Sequence, residues 1–209
     1  MKTLLRIDCS ARTEGSHSRS LADYFEENWR AVNPEAKVKY RDLAMQSLPH
    51  IQNKTIEGFF TPQEYMTAEL RDALALSDEL IEELVTADEV LISSPLYNLN
   101  VPSCLKAYLD QVVRIGRTFG MNEKGYYGLL NDKTAHVVTV KGGAYRGTPM
   151  EQLDFQEQYL QVILRHMGIV EQNHFSLEGT TDANILKKNE LVTKGKIDAL
   201  FQRQILQTG

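Results

Sequence analysis

The sequence predicts a doubly wound α/β domain, a five-stranded parallel sheet with helices on both faces. Three observations carry that prediction. Short apolar runs of strand length alternate with longer segments of helical period along the whole chain, the pattern of strands joined by crossover helices. No internal repeat, low-complexity tract or linker interrupts the 209 residues, so residues 1–209 read as one domain. A chain of this length buries enough surface to complete a core without disulfides or metals.

The elements follow in order. Residues 4–9 read as the first strand, and residues 18–32 as a helix with Leu21, Tyr24, Phe25, Trp29 and Val32 on one face. Asn33-Pro34 ends that helix. Residues 37–43 form the second strand. Residues 67–85 form a helix with Leu70, Leu74, Ile81 and Leu84 on its stripe, and residues 89–94 the third strand. Leu105, Tyr108, Leu109, Val112 and Val113 then obey the i, i+3, i+4, i+7, i+8 rule of an amphipathic helix. Residues 134–140 are the fourth strand, 151–167 a helix, 169–177 the fifth strand, and 182–206 mostly helix. Residues 44–64 make an unusually long connection, polar and rich in turn formers but carrying Ile51, Ile56, Phe59 and Phe60. Those apolar side chains point to a lid or an interface.

Composition narrows the function. Twenty-eight acidic against 23 basic residues give a net charge of −5, the wrong sign for a surface that follows a nucleic-acid backbone. Charges break the first apolar run too early for a signal-peptide core, and no stretch approaches the ~18 apolar residues of a membrane span. Cys9 and Cys104 stand in unrelated contexts without a Cys-x-x-Cys pattern, which suggests a reduced, cytoplasmic chain with no zinc site and no other metal centre.

In a doubly wound sheet, ligands sit outside the carboxyl ends of the strands, near the point where strand order reverses. The loops after strands one, three and four are therefore the candidates. The first offers the hydroxyls of Ser10, Thr13, Ser16 and Ser18, runs into a helix N-terminus and has Arg12 or Arg19 to add charge, chemistry that suits a phosphate. Helix capping accounts for one of those serines and not for the rest. Neither a Walker motif nor the glycine-rich dinucleotide fingerprint is present, so a single phosphate fits better than ATP, NAD or FAD at this loop. After strand three, residues 95–102 expose Tyr97 with two amides, Asn98 and Asn100. After strand four, Lys141-Gly142-Gly143-Ala144-Tyr145 lets a planar group approach the backbone, and Tyr97 or Tyr145 can stack on it. A phosphate pocket beside a flat aromatic slot describes flavin mononucleotide (FMN).

These residues resemble the FMN-dependent NADH-azoreductases, or NADH:quinone oxidoreductases, of the flavodoxin-like superfamily, over nearly the whole chain. The resemblance rests on Ser10, on Ser16-His17-Ser18, on Pro95-Leu96-Tyr97-Asn98-Leu99 with Leu105-Lys106-Ala107-Tyr108, on Thr118-Phe119 and on Gly142-Gly143. It implies the strand order 2-1-3-4-5, with Ser10, Ser16, His17 and Ser18 at the FMN phosphate. Pro95, Leu96, Tyr97, Asn98 and Leu99 would border the isoalloxazine, and Val140, Lys141, Gly142 and Gly143 its pyrimidine end. It also implies a homodimer with the flavin sites at the interface, where Phe119 and long-loop residues such as Phe59 and Phe60 line a substrate cavity together with Tyr145. The flavin carries the chemistry, so no side chain is assigned as catalytic. NADH or NADPH donates, and a quinone or azo compound then accepts at the same place in a ping-pong exchange. Two departures stand out. Arg6 and Asp8 interrupt the first strand and share a face on which they can pair, and Gly120 occupies a position where the family carries an aromatic residue.

Rival readings fit less well. A serine hydrolase built on Ser10 with Glu171 and His174 lacks the Gly-x-Ser-x-Gly elbow and has Asp8-Cys9-Ser10 in place of Gly-Asp-Ser. A phospho-receiver needs an aspartate where Ser93-Ser94-Pro95 stands. A flavodoxin-like electron carrier would not need the aromatic long connection.

Overall fold

The computed structural model describes residues 1–208. Its main sheet contains β1 (Thr3–Asp8), β2 (Lys37–Asp42), β3 (Glu89–Pro95), β6 (Thr134–Val140) and β7 (Glu171–Leu177), all parallel in the order β2-β1-β3-β6-β7. That is the 2-1-3-4-5 order among the strands of this sheet. The other two strands, β4 (Phe119–Asn122) and β5 (Gly125–Gly128), pair only with each other as an antiparallel hairpin.

Two apolar layers enclose the sheet. On one face α1 (His17–Val32) and α6 (Ala183–Thr208) bury Phe25, Trp29, Ile197 and Phe201 against Leu4, Leu91, Val138 and Phe175. On the other, α3 (Ala68–Thr86), α4 (Ser103–Val112) and α5 (Phe155–His166) bury Leu80, Ile81, Leu84, Tyr108, Leu109 and Leu160 against Leu5, Ile7, Val90, Ile92 and Val137. Successive strand residues face opposite layers, so central strands must be apolar on both faces. Side-chain caps begin three of these helices. Ser16 accepts from Arg19 N, Thr67 from Leu70 N, and Asp154 from Gln156 N and Glu157 N.

The two charges in β1 are satisfied together. Arg6 Nε lies 3.0 Å from Asp8 Oδ2, and its Nη1 reaches Asp23 at 2.7 Å and Glu26 at 3.0 Å. Ser93 Oγ donates to the remaining Asp8 oxygen at 2.6 Å. A buried guanidinium with this many acceptors keeps its charge without an orphaned donor.

The structure corrects the sequence reading in three places and adds a contact that it did not foresee. The long connection is not all loop: α2 (Asn53–Phe60) lies inside it, with Thr55 and Gly58 buried and Gly58 packed against Leu74 of α3. Residues 151–167 are broken at Asp154 into a 3₁₀ turn, Glu151–Leu153, and α5, because the Asp154 carboxylate caps the second piece. The fifth sheet strand starts at Glu171 rather than at residue 169. Cys9 and Cys104, remote in sequence, meet where β1 ends and α4 begins; the Cys104 thiol donates to Cys9 O at 3.3 Å, and both remain free thiols.

Candidate functional site

The carboxyl ends of β1, β3 and β6 converge on a cleft of about 180 Å³ lined by Ser10, Arg12, Ser16, His17, Ser18, Pro95, Leu96, Tyr97, Val140, Gly142 and Thr180. Nine of the thirteen residues expected at a cofactor line it directly.

Its first wall is an anion cradle. Ser16 caps α1, so the amides of His17 and Ser18 begin the helix with no acceptor among the described residues. The hydroxyls of Ser16 and Ser18 lie 3.2 Å apart, and Ser10 Oγ accepts from Arg12 N at 3.2 Å, leaving its proton to donate elsewhere. The positive end of the helix dipole adds to these donors. Either Arg12 or Arg19 was expected to add charge, and the structure separates them. Arg19 is bound to Asp42 by two hydrogen bonds, of 2.5 and 2.9 Å, whereas Arg12 makes no ion pair among the described residues.

The second wall is a strained turn. Tyr97 N donates to Asn100 O and Asn100 N to Tyr97 O, both at 3.0 Å, closing a two-residue loop whose central residues have positive φ, +49° at Asn98 and +69° at Leu99. A leucine in the left-handed region costs about 1 kcal/mol or more and persists only where its surroundings hold it. Here Leu99 O accepts from Phe155 N at 3.1 Å, while the buried Gln156 side chain donates to Ser94 O, Ser94 Oγ and Pro95 O just before the turn. The turn leaves the amides of Asn98 and Leu99 without acceptors among the described residues. Neither of these two residues lines the cleft itself.

The third wall is the Gly142-Gly143 segment. Gly142 O accepts from Thr181 and Gly143 O from Gly179, so this loop is laced to the one after β7, and the amides of both glycines stay unpaired among the described residues. The neighbouring Lys141 faces elsewhere. Its ammonium is 1% exposed and sits 2.5 Å from Asp154, 2.8 Å from Glu157 and 3.2 Å from Glu178, and its backbone is bonded to Leu177 and Thr180. Burial lowers the Lys141 pKa and the hydrogen bonds to Asp154 and Glu157 more than restore it, so the net shift is upward. Glu178 accepts from the amides of Tyr145 and Arg146, at 2.7 and 3.0 Å. Lys141 and Glu178 thus hold the loop from behind.

The residues expected in a substrate cavity are not gathered within one chain. Phe59 stacks on Arg114 at 5.2 Å, Phe60 is 72% exposed, Phe119 lies 4.4 Å from the His166 ring and 5.9 Å from Tyr126, and Tyr145 packs near Lys141 in a neighbouring acidic pocket. Gly120 is covered by the ring of Tyr127, which faces it across the hairpin and would have to move aside for any side chain there. Sequence reasoning missed Thr180, since nothing in Gly179-Thr180-Thr181 marks it except its place after the fifth sheet strand.

Comparison with known proteins agrees with this geometry. A family model for the flavodoxin-like fold matches residues 1–198. An FMN-dependent NADH:quinone oxidoreductase from Nostoc punctiforme is 43% identical over 172 residues, 82% of this chain and 84% of its own. One of the same name from a Nostoc sp. is 39% identical over 204 residues, 97% and 98% of the two chains. The crystal structure of an azoreductase from Bacillus anthracis str. Sterne superposes with a TM-score of 0.89 over 97% of this chain and all of its own, at 24% identity, and so shares the fold. With this similarity along its length, the chain belongs to the family of FMN-dependent NADH:quinone oxidoreductases, built on the flavodoxin-like fold.

Proposed function

We propose that this protein is an enzyme that holds FMN in the cleft between β1, β3 and β6, accepts reducing equivalents from NADH and delivers them to quinones and azo compounds. The observation that carries the reading is the donor set. The amides of His17, Ser18 and Gly142, three serine hydroxyls and an arginine outside any ion pair among the described residues surround one cleft, while side-chain carboxylates line a separate pocket. A phosphate monoester fits the His17 and Ser18 amides with Ser10, Ser16, Ser18 and Arg12. A flat ring with polar edges fits between the Tyr97 turn and Gly142-Gly143. The relatives named above, and a solved FMN-dependent NADH-azoreductase of the same fold in complex with FMN, support this assignment.

When bound, FMN supplies the two-electron chemistry, and the protein supplies placement and electrostatics. The helix N-terminus and the serines would anchor the phosphate and fix how far the ring reaches. The Gly142 N–H in the cleft wall, with those of residues 98, 99 and 143 in the adjoining turns, would supply fixed dipoles that favour negative charge on the ring's polar edge without reorganising. Donor and acceptor would use the exposed side of the cleft in turn, beside Tyr97, which is 38% exposed.

A homodimer completes the reading. Ile56 and Phe60 on α2, with Met121 and Tyr126 on the hairpin, leave large apolar side chains in water in a single chain. A second copy covering them would bring aromatic side chains over the open cleft.

Chromatography of the pigment released on denaturation tests the cofactor. FMN is the expected product. FAD, or a colourless protein that FMN does not reconstitute, would end this reading.

A further inference from the structure

We infer that Arg19 is a positioning residue for the anion cleft: it holds the carbonyls of Ser10 and Arg12 turned away from the bound phosphate, so that neither oxygen faces the anion. The inference rests on the FMN reading and goes beyond it, because Arg19 touches no ligand.

Arg19 is the third residue of α1, and its side chain reaches back behind the loop it follows. Nη2 donates to Ser10 O at 2.9 Å and Nε to Arg12 O at 3.2 Å. Nη1 and Nη2 donate to the two oxygens of Asp42, the last residue of β2. Four of the five guanidinium N–H bonds are thereby used, and the charge is matched by Asp42 with Asp8 3.9 Å away. Hydrogen bonding to Asp42 raises the Arg19 pKa and lowers that of Asp42, so the pair stays ionised across the working range.

A loop carbonyl facing a phosphate would oppose binding, and a peptide unit flips easily when its oxygen has no partner. Here two oxygens of the loop are pinned to one rigid fork. Lysine cannot reproduce this, since a single ammonium does not span two carbonyls and a carboxylate in fixed planar geometry. Asp42 serves the same purpose one step further back. Its Oδ1 also accepts from Ala44 N and Met45 N, which fixes the carboxylate toward Arg19.

The test compares FMN with riboflavin, which has the same ring and no phosphate. Apoprotein of the wild type and of R19M, R19K and D42N is titrated with each flavin, and quenching of flavin fluorescence gives Kd. R19M and R19K should both weaken FMN binding about tenfold or more, the range of one lost charge-assisted hydrogen bond, while riboflavin binding changes less than about twofold. D42N, which leaves every cleft residue in place, should show the same FMN-selective loss and carries the test if the Arg19 variants do not fold. Wild-type affinity in R19K would assign the effect to charge and overturn the inference, as would parallel loss of both flavins or unchanged FMN binding in D42N. A wild-type protein that binds FMN no better than riboflavin would overturn the phosphate site itself.

Discussion

Gly128 and Gly168 meet backbone to backbone: a methyl group on Gly128 would overlap the Cα and amide nitrogen of Gly168. This contact docks the β4–β5 hairpin onto the end of α5, where Leu129 N and Leu130 N both donate to Met167 O, at 3.1 and 2.8 Å. Gly168 itself has φ +104°, a conformation that side chains rarely adopt. Gly128→Ala should therefore force the hairpin off α5, costing about 1–3 kcal/mol. Thermal melting reads the loss, and an unchanged Tm would show that the two backbones do not touch.

Replacing Ser16 and Ser18 together by Ala removes two hydroxyls from the anion cradle and one helix cap. FMN affinity should fall, with each lost hydrogen bond to a charged group worth roughly 1.5–3 kcal/mol, while stability drops by only about 1 kcal/mol. Titration of apoprotein with FMN beside a urea melt separates the two effects. An unaltered FMN Kd would place the phosphate elsewhere.

The parallel sheet was legible because its inner strands β3 and β6 are mostly apolar and buried and its helices keep a clean 3.6 period, as Leu105, Tyr108, Leu109 and Val112 do, all of them buried. The hairpin was not, since Phe119-Gly120-Met121 and Tyr126-Tyr127-Gly128 are short, two-sided and split by a turn at residues 123–124. Helix α2 was hidden for a related reason: an eight-residue helix, little more than two turns, with only Thr55 and Gly58 buried leaves no apolar stripe to read. At the cleft, the serines and glycines are readable as chemistry, because hydroxyls and bare backbone suit phosphates and planar rings. The direction of a long side chain is not. Nothing local tells that Lys141 turns into Asp154, Glu157 and Glu178, or that Arg19 turns to Asp42, because their partners are 13 to 37 positions away.

Acid should unfold the protein through two buried carboxylates. Burial alone would raise Glu89, but its contacts with His136 at 2.8 Å and with Lys2 bring it down to about 2. Burial likewise opposes ionisation of Glu157, and hydrogen bonds from Lys141 and Thr139 bring it to about 2 as well. In the unfolded chain both titrate near an ordinary glutamate value of about 4.3. Their contribution, on the order of 2 kcal/mol each, is therefore complete above that value and lost as pH falls toward 2. Urea unfolding from pH 7 downward measures it. Glu157→Gln should flatten part of the acid limb, and an identical slope in the variant would contradict the assignment.

Phe59→Ser with Phe60→Ser should shift the sedimenting mass toward a monomer or raise the Michaelis constant for the quinone, because the two side chains contribute about 1.5–3 kcal/mol each when buried and occur twice in a symmetric interface. A wild-type protein that is monomeric at micromolar concentration and fully active would contradict the interface.

Reduction followed by reoxidation is the most direct measurement. Holoprotein mixed anaerobically with NADH alone should lose its visible flavin absorption, and a later addition of quinone, after the nicotinamide has been removed, should restore it. Absorption that persists with NADH, or a bleached protein that quinone fails to reoxidise, would contradict the proposal that this cleft carries electrons from one to the other.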